Sequence, residues 1–81
     1  MLTLRFFARL REQLATSSLQ WPDAADINAL IASLEAQRGA IWGDTLRAPN
    51  VIVAVNQVVV ARDQALRDGD EVAFFPPVTG G

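Results

Sequence analysis

The alternation of apolar and polar residues predicts five short strands. Near the N-terminus, Leu2, Leu4 and Phe6 fall on one face of a strand over residues 2–8, and polar residues interrupt them. The other predicted strands cover residues 17–21, 51–55, 58–61 and Glu71–Phe75. The short, charged stretch Ala8–Leu14 is predicted to be a helical turn or a loop.

One long helix is predicted between the second and third strands. Its apolar face carries Ile27, Leu30, Ile31 and Leu34. Asp26 is suited to cap the N-terminus, and Arg38 followed by Gly39 marks the C-terminus, so the helix is expected over residues 27–38. Residues 40–50 give no clear pattern beyond a turn near Pro49.

Turn signals connect these elements into one fold. Asn56 and Gln57 separate two β-branched runs and predict a hairpin, and Gly69 lies in an Asp-Gly-Asp turn before the last strand. The order β-β-α-β-β-β favours an α+β fold in which a mixed five-stranded sheet wraps one main helix, the β-grasp or ubiquitin-like roll. We therefore expect a β-grasp domain over residues 1–76 and a flexible tail over residues 77–81.

Composition excludes several kinds of chemistry. The 81 residues include no Cys, His, Lys or Tyr, so thiolate metal sites, disulfides and the commonest general bases are absent. Seven Arg against nine acidic residues give a net charge of −2, which argues against nucleic acid and anionic membranes as partners. The sequence predicts a soluble, cytoplasmic protein that is not an autonomous enzyme.

The Gly80-Gly81 end is the strongest candidate for chemistry. Glycine has no Cβ, so two in succession can enter a tunnel too narrow for other residues. Adenylation by ATP on a partner enzyme would activate the Gly81 carboxylate, and a sulfur donor could then replace AMP to leave a thiocarboxylate. Because the chain contains no lysine, its own α-amine is the only amine that could react with an activated C-terminus. The alternative is a frayed glycine tail without a role.

Two Phe pairs predict an apolar patch on the sheet. Neighbouring residues of a strand face opposite sides, so Phe6 and Phe74 belong to the core while Phe7 and Phe75 face outward. The same alternation places Val59 outside if Val58 and Val60 are buried. We expect Phe7, Val59 and Phe75 to form a protein-binding patch rimmed by Arg5 and Arg11. The alternative is that these rings lie beneath residues 40–50.

The acidic residues near the last turn are not predicted to bind a metal. Asp63, Asp68, Asp70 and Glu71 lack the alternating oxygen ligands of a calcium loop, and Asp-Gly-Asp is a favourable turn sequence. We expect a turn with solvated charges and no metal site.

Several motifs resemble one protein family over the full length. They are Phe6-Phe7-Ala8 with Leu10-Arg11-Glu12, then Ala54-Val55-Asn56-Gln57, then Leu66 and the ending DGDEVAFFPPVTGG over residues 68–81. In these motifs the chain resembles the small, sulfur-carrying subunits of molybdopterin synthase, and residues 17–50 add only the helix pattern.

The resemblance implies a specific role for the tail. An adenylating enzyme similar to ubiquitin-activating enzymes would activate Gly81, with Gly80 beside it, using ATP; this chain itself would bind no cofactor. The thiocarboxylate would then enter the large subunit of a heterotetrameric synthase and donate sulfur to cyclic pyranopterin monophosphate, forming the dithiolene of molybdopterin. The residues that would contact these partners are Phe7, Arg11, Val59, Phe75, Pro76, Pro77, Val78 and Thr79.

Two other functions remain open at this point. A sulfur carrier for thiamin thiazole synthesis shares the fold and the Gly-Gly end. A ubiquitin-like module that only binds its partners would use no chemistry at the tail.

Overall fold

A computed structural model describes residues 1–77, which form a five-stranded mixed sheet. The strands are β1 (Leu2–Phe6), β2 (Ser18–Trp21), β3 (Ile52–Val55), β4 (Val58–Val60) and β5 (Glu71–Phe75). Their spatial order is β2-β1-β5-β3-β4. The first and last strands lie side by side in parallel, and all other pairs are antiparallel. This is the β-grasp arrangement that the sequence predicts.

The long helix α2 (Ile27–Arg38) has the predicted bounds. Asp26 caps it, since the Asp26 carboxylate accepts a hydrogen bond from the Ala29 backbone N–H at 2.8 Å. Its apolar face is fully buried against the sheet, as the spacing of Leu30 and its neighbours requires.

Two shorter helices complete the fold. The stretch Ala8–Leu14 forms α1, and the stretch Ala40–Arg47, which had no clear pattern in the sequence, forms α3. Trp42 of α3 meets Phe6 edge-on, with ring centroids 5.4 Å apart, so α3 covers the same face of the sheet as the core. Gly43 leaves room for the Glu35 carboxylate of α2, because a Cβ at this position would lie 1.9 Å from Oε2 of Glu35.

The β3–β4 hairpin turns through two residues, as predicted. Asn56 and Gln57 have φ angles of 49° and 72°, the left-handed values that a two-residue hairpin turn requires. Val60 packs partly against the core, but Val58 is 63% exposed, so the condition that Val58 and Val60 are both buried is not met; Val59 is nevertheless exposed. β4 lies at the edge of the sheet.

The core lies between one face of the sheet and the three helices. Apolar side chains of every helix and of β1, β2, β3 and β5 form a single buried cluster. Within residues 1–77, no helix is long and apolar enough to cross a membrane. The opposite face of the sheet carries the features described next.

Candidate functional site: the outer face of the sheet

Paired phenylalanines lie on both faces of the sheet where β1 meets β5. On the inner face, Phe6 and Phe74 are buried and stacked, with ring centroids 5.5 Å apart. On the outer face, Phe7 and Phe75 stack at 4.6 Å with planes 5° apart and remain half-buried. Parallel pairing brings them together, since Phe6 aligns with Phe74 and the following residues project to the other side.

A concave depression of about 440 Å³ opens on this outer face; we call it the outer-face hollow. Its lining residues are Arg5, Phe7, Ala54, Gln57, Val59, Glu71, Ala73 and Phe75. Ala54 of β3 and Ala73 of β5 are register partners and form the floor, because their methyl groups fill little of the space between the larger side chains. The hollow therefore has apolar walls of Phe and Val around a floor of alanines.

The two charged residues of the hollow, Arg5 and Glu71, form an ion pair. A nitrogen of the Arg5 guanidinium is 3.6 Å from Oε2 of Glu71, and the guanidinium carbon is 5.9 Å from the centroid of the Phe7 ring. The two charges balance, so the hollow is neutral. An uncharged, mainly apolar concavity fits a protein surface better than a charged small molecule.

The structure brings most, but not all, of the predicted patch and rim residues together. Phe7, Val59 and Phe75 all line the outer-face hollow. Arg11 is exposed in the last turn of α1 and is not among the residues that line the hollow, and its contact with a partner stays a prediction. Residues 40–50 do not cover the rings either, because α3 packs against α2 on the other side of the sheet.

The chain leaves the sheet beside the hollow. Phe75 ends β5, and the half-buried Pro76 and Pro77 follow directly. Pro77 also lines a second, more polar depression with Arg9 and Asn50, near α1 and α3. The predicted partner-binding residues Val78 and Thr79 and the predicted reactive residues Gly80 and Gly81 lie outside the described residues.

The acidic residues near the last turn have structural partners. Oδ2 of Asp70 accepts a hydrogen bond from the Arg67 backbone N–H, and Oδ1 accepts one from the Asn56 amide at 2.9 Å. These two bonds, led by that of Arg67, hold the pKa of Asp70 below its usual value. In the part of the chain that the structure describes, no group of three or more acidic, His or Cys residues is placed to bind a metal ion.

Sequence patterns did not identify four of the residues that line the hollow. Arg5 was expected at the rim, but the floor residues Ala54 and Ala73 and the flanking Gln57 and Glu71 were not identified. Ala73 could have been found, because strand alternation puts it on the same face as Phe75. Ala54 becomes its neighbour only through the β3–β5 register, which the sequence does not state.

Comparison with known proteins gives full-length matches. The sulfur carrier subunit of molybdopterin synthase from Escherichia coli is 43% identical over 82 positions, and its counterpart from Haemophilus influenzae is 38% identical over 81 positions. Each alignment covers 100% of both chains.

A solved structure with the same fold contains a partner subunit. It is the complex of subunits 1 and 2 of the molybdopterin-converting factor from Helicobacter pylori, matched at a TM-score of 0.66 and 25% identity. The match covers 99% of this chain and 97% of that one. The ThiS family pattern matches residues 4–81, nearly the whole sequence, and this chain therefore belongs to the ThiS family.

Proposed function

We propose that this protein is the sulfur carrier subunit of a molybdopterin synthase. Two relatives carry that name, at 38% and 43% identity, and each alignment covers 100% of both chains. The observation in the structure that most supports a carrier is the outer-face hollow, which opens where β5 ends and the chain continues toward Gly80 and Gly81.

The chemistry proposed for the tail takes place in two steps. A carboxylate oxygen of Gly81 attacks the α-phosphorus of ATP on an adenylating partner, which forms an acyl adenylate and releases pyrophosphate. Hydrosulfide, supplied by a sulfur donor, then attacks the carbonyl carbon and displaces AMP, leaving a thiocarboxylate. ATP and the catalytic side chains belong to the partner, since this chain has no His, Cys or Lys to act as base or nucleophile.

Delivery of sulfur requires a second partner. We propose that the loaded tail enters the active site of the large synthase subunit and gives its sulfur to cyclic pyranopterin monophosphate, with two donations completing the dithiolene. The structural match to a two-subunit molybdopterin-converting factor supports a large-subunit partner.

The outer-face hollow is the proposed docking surface for both partners. The tail beyond Pro77 has only four residues and spans at most about 14 Å when extended, so the domain must bind close to each active site. Phe7 and Phe75 are stacked beside the start of that tail and present apolar surface to solvent. One surface used for two complexes makes them mutually exclusive, and the carrier must dissociate from the first enzyme before it meets the second.

Reconstitution tests this proposal. The purified chain, loaded by the adenylating enzyme with ATP and a sulfur source, is mixed with the large subunit and cyclic pyranopterin monophosphate, and molybdopterin is measured. A chain lacking Gly81 is the matched control and should give none. Formation of a thiazole with thiazole-synthesis enzymes, and of no molybdopterin, would instead assign the chain to thiamin synthesis.

A further inference from the structure

The edge strand β4 is unusually apolar and open. It consists of Val58, Val59 and Val60, with no charge or proline, and Val58 and Val59 are 63% and 71% exposed. Edge strands in soluble proteins are commonly protected by charged residues, proline or a covering loop. Among the described residues, β4 pairs only with β3, and its other edge is the end of the sheet.

The geometry of the hairpin shows which main-chain groups face outward. Val55 and Val58 flank the two-residue turn, so they exchange hydrogen bonds with each other. In an antiparallel ladder such pairs alternate with pairs that are not hydrogen-bonded, so Val59, opposite Ala54, directs its N–H and C=O away from β3.

The pairing of β3 with β5 supports the same alternation of hydrogen-bonded and non-hydrogen-bonded residues. The Asn56 N–H donates to the Glu71 carbonyl at 2.8 Å, so alternate residues of β3, including Ala54, direct their main chain toward β5. Ala54 therefore has no hydrogen bond to offer Val59 across the hairpin. Val59 is the residue of β4 with both of its main-chain groups at the open edge.

Val59 also belongs to the outer-face hollow. Its side chain lines the hollow, while its N–H and C=O point sideways in the plane of the sheet at the open edge. A protein that covers the hollow over Val59 removes water from both groups. Main-chain groups that lose water without gaining a partner cost free energy, so such a protein must supply an acceptor and a donor there.

We propose that the large subunit, when it docks on the outer-face hollow, also adds an extended strand to the β4 edge, exchanging two main-chain hydrogen bonds with Val59. An extended chain presents an N–H and a C=O at the spacing needed, which is how peptides bind exposed sheet edges. The residue opposite Val59 would place its side chain on the outer face, where an apolar residue would pack beside Val59. This inference rests on the proposed function, which assigns the hollow to the large subunit and the adenylating enzyme.

Amide hydrogen exchange tests the inference with internal controls. The ¹⁵N-labelled chain is measured by NMR alone and in complex with the large subunit. In the free chain, the Val59 amide should exchange rapidly while those of Val58 and Val60, which bond to β3, are protected. In the complex, exchange at Val59 should slow by at least about tenfold.

A chemical variant tests the bond itself. The chain is short enough for synthesis, so the Val59 amide can be replaced by an ester, which keeps the side chain, removes the N–H and makes the Val58 carbonyl a weaker acceptor. The melting temperature of the free protein should fall only slightly, because that N–H has no partner in it and the bond from the Val55 N–H to the Val58 carbonyl is weakened but kept. Affinity for the large subunit should fall by about tenfold.

The outcomes separate this inference from the proposed function. A complex that forms without protection of Val59, or an ester variant that binds like the natural chain, overturns the added strand and leaves the docking surface intact. Protection of Val59 that rises with concentration in the free chain assigns the edge to a second copy and overturns it as well. Failure to form any complex overturns both.

Discussion

Adjacent phenylalanines on β5 provide a matched pair of substitutions for the docking surface. Phe75→Ala removes a half-buried ring from the outer-face hollow, whereas Phe74→Ala removes a fully buried ring from the core. The two changes are chemically identical and differ only in the face of the sheet. The two substitutions therefore distinguish a ring that binds partners from a ring that stabilises the fold.

The structure sets the expected size of each effect. Phe75→Ala loses its stack on Phe7 and part of its buried area, about 1–2 kcal/mol of unfolding free energy. Phe74→Ala leaves a cavity beside Phe6 and should cost about 3–5 kcal/mol, a large fraction of the stability of a domain this small. Such a loss lowers the melting temperature by at least about 12 °C.

Binding should follow the opposite order. A central aromatic anchor contributes about 2 kcal/mol or more, so Phe75→Ala should weaken binding to both the adenylating enzyme and the large subunit by more than about tenfold. Titration calorimetry at 25 °C measures each affinity, and thermal unfolding monitored by circular dichroism reports stability. Unchanged affinities for Phe75→Ala, or a stability loss as large as that of Phe74→Ala, would refute the assignment of this ring to a docking surface.

Three further predictions concern the core, the tail and the acidic turn. Leu30→Ala should lower the unfolding free energy by about 2–5 kcal/mol in urea denaturation, since Leu30 is fully buried; no change would contradict the assigned helix face. Removal of Gly81 should abolish sulfur transfer with little change in melting temperature, and a large thermal loss would show that the tail supports the fold. Asp70 has a lowered pKa in the folded protein, so its stabilising effect is present above the unfolded value near 3.8 and disappears as the pH falls through the lower folded value. Asp70→Asn should therefore flatten the acid limb of the urea midpoint plotted against pH below about pH 4, and an unchanged limb would argue against this role.

Local signals in the sequence were sufficient for most of the fold. The bounds of α2 are marked by residues whose chemistry acts within one turn, Asp26 at the start and Gly39 after the end. The hairpin turn is similar, because Asn56 tolerates the left-handed backbone found there. Each of these elements could be predicted because its cause lies within a few residues.

The helix α3 depends on contacts that the sequence does not display. Gly43 in its middle lowers intrinsic helix propensity, and Pro49 follows shortly after its end. The helix is stabilised in the fold by Trp42 against Phe6 and by the ion pair between Arg47 and Glu35 of α2, at 2.8 Å. These partners are distant in sequence, so the contacts that stabilise this helix could not be predicted from the local sequence.

Only part of the candidate site could be predicted, because only some of its residues follow from a local pattern. Strand alternation alone placed Phe7 and Phe75 on the outer face. The concavity depends on Ala54 lying beside Ala73, and that follows from the register of two strands separated by a long connection. The position of Arg11 depends on α1, whose Leu10 and Leu14 are buried in the core, and strand alternation gives no information about it.

The central claim is that Gly81 carries sulfur, and its mass tests this most directly. The purified chain is incubated with the adenylating enzyme, ATP and a sulfur source, and its intact mass is measured beside a chain lacking Gly81. We predict that the natural chain gains the difference between one sulfur and one oxygen atom, while the shortened chain gains nothing. An unchanged mass of the natural chain, under conditions in which the enzyme loads a known carrier, would contradict the proposed function.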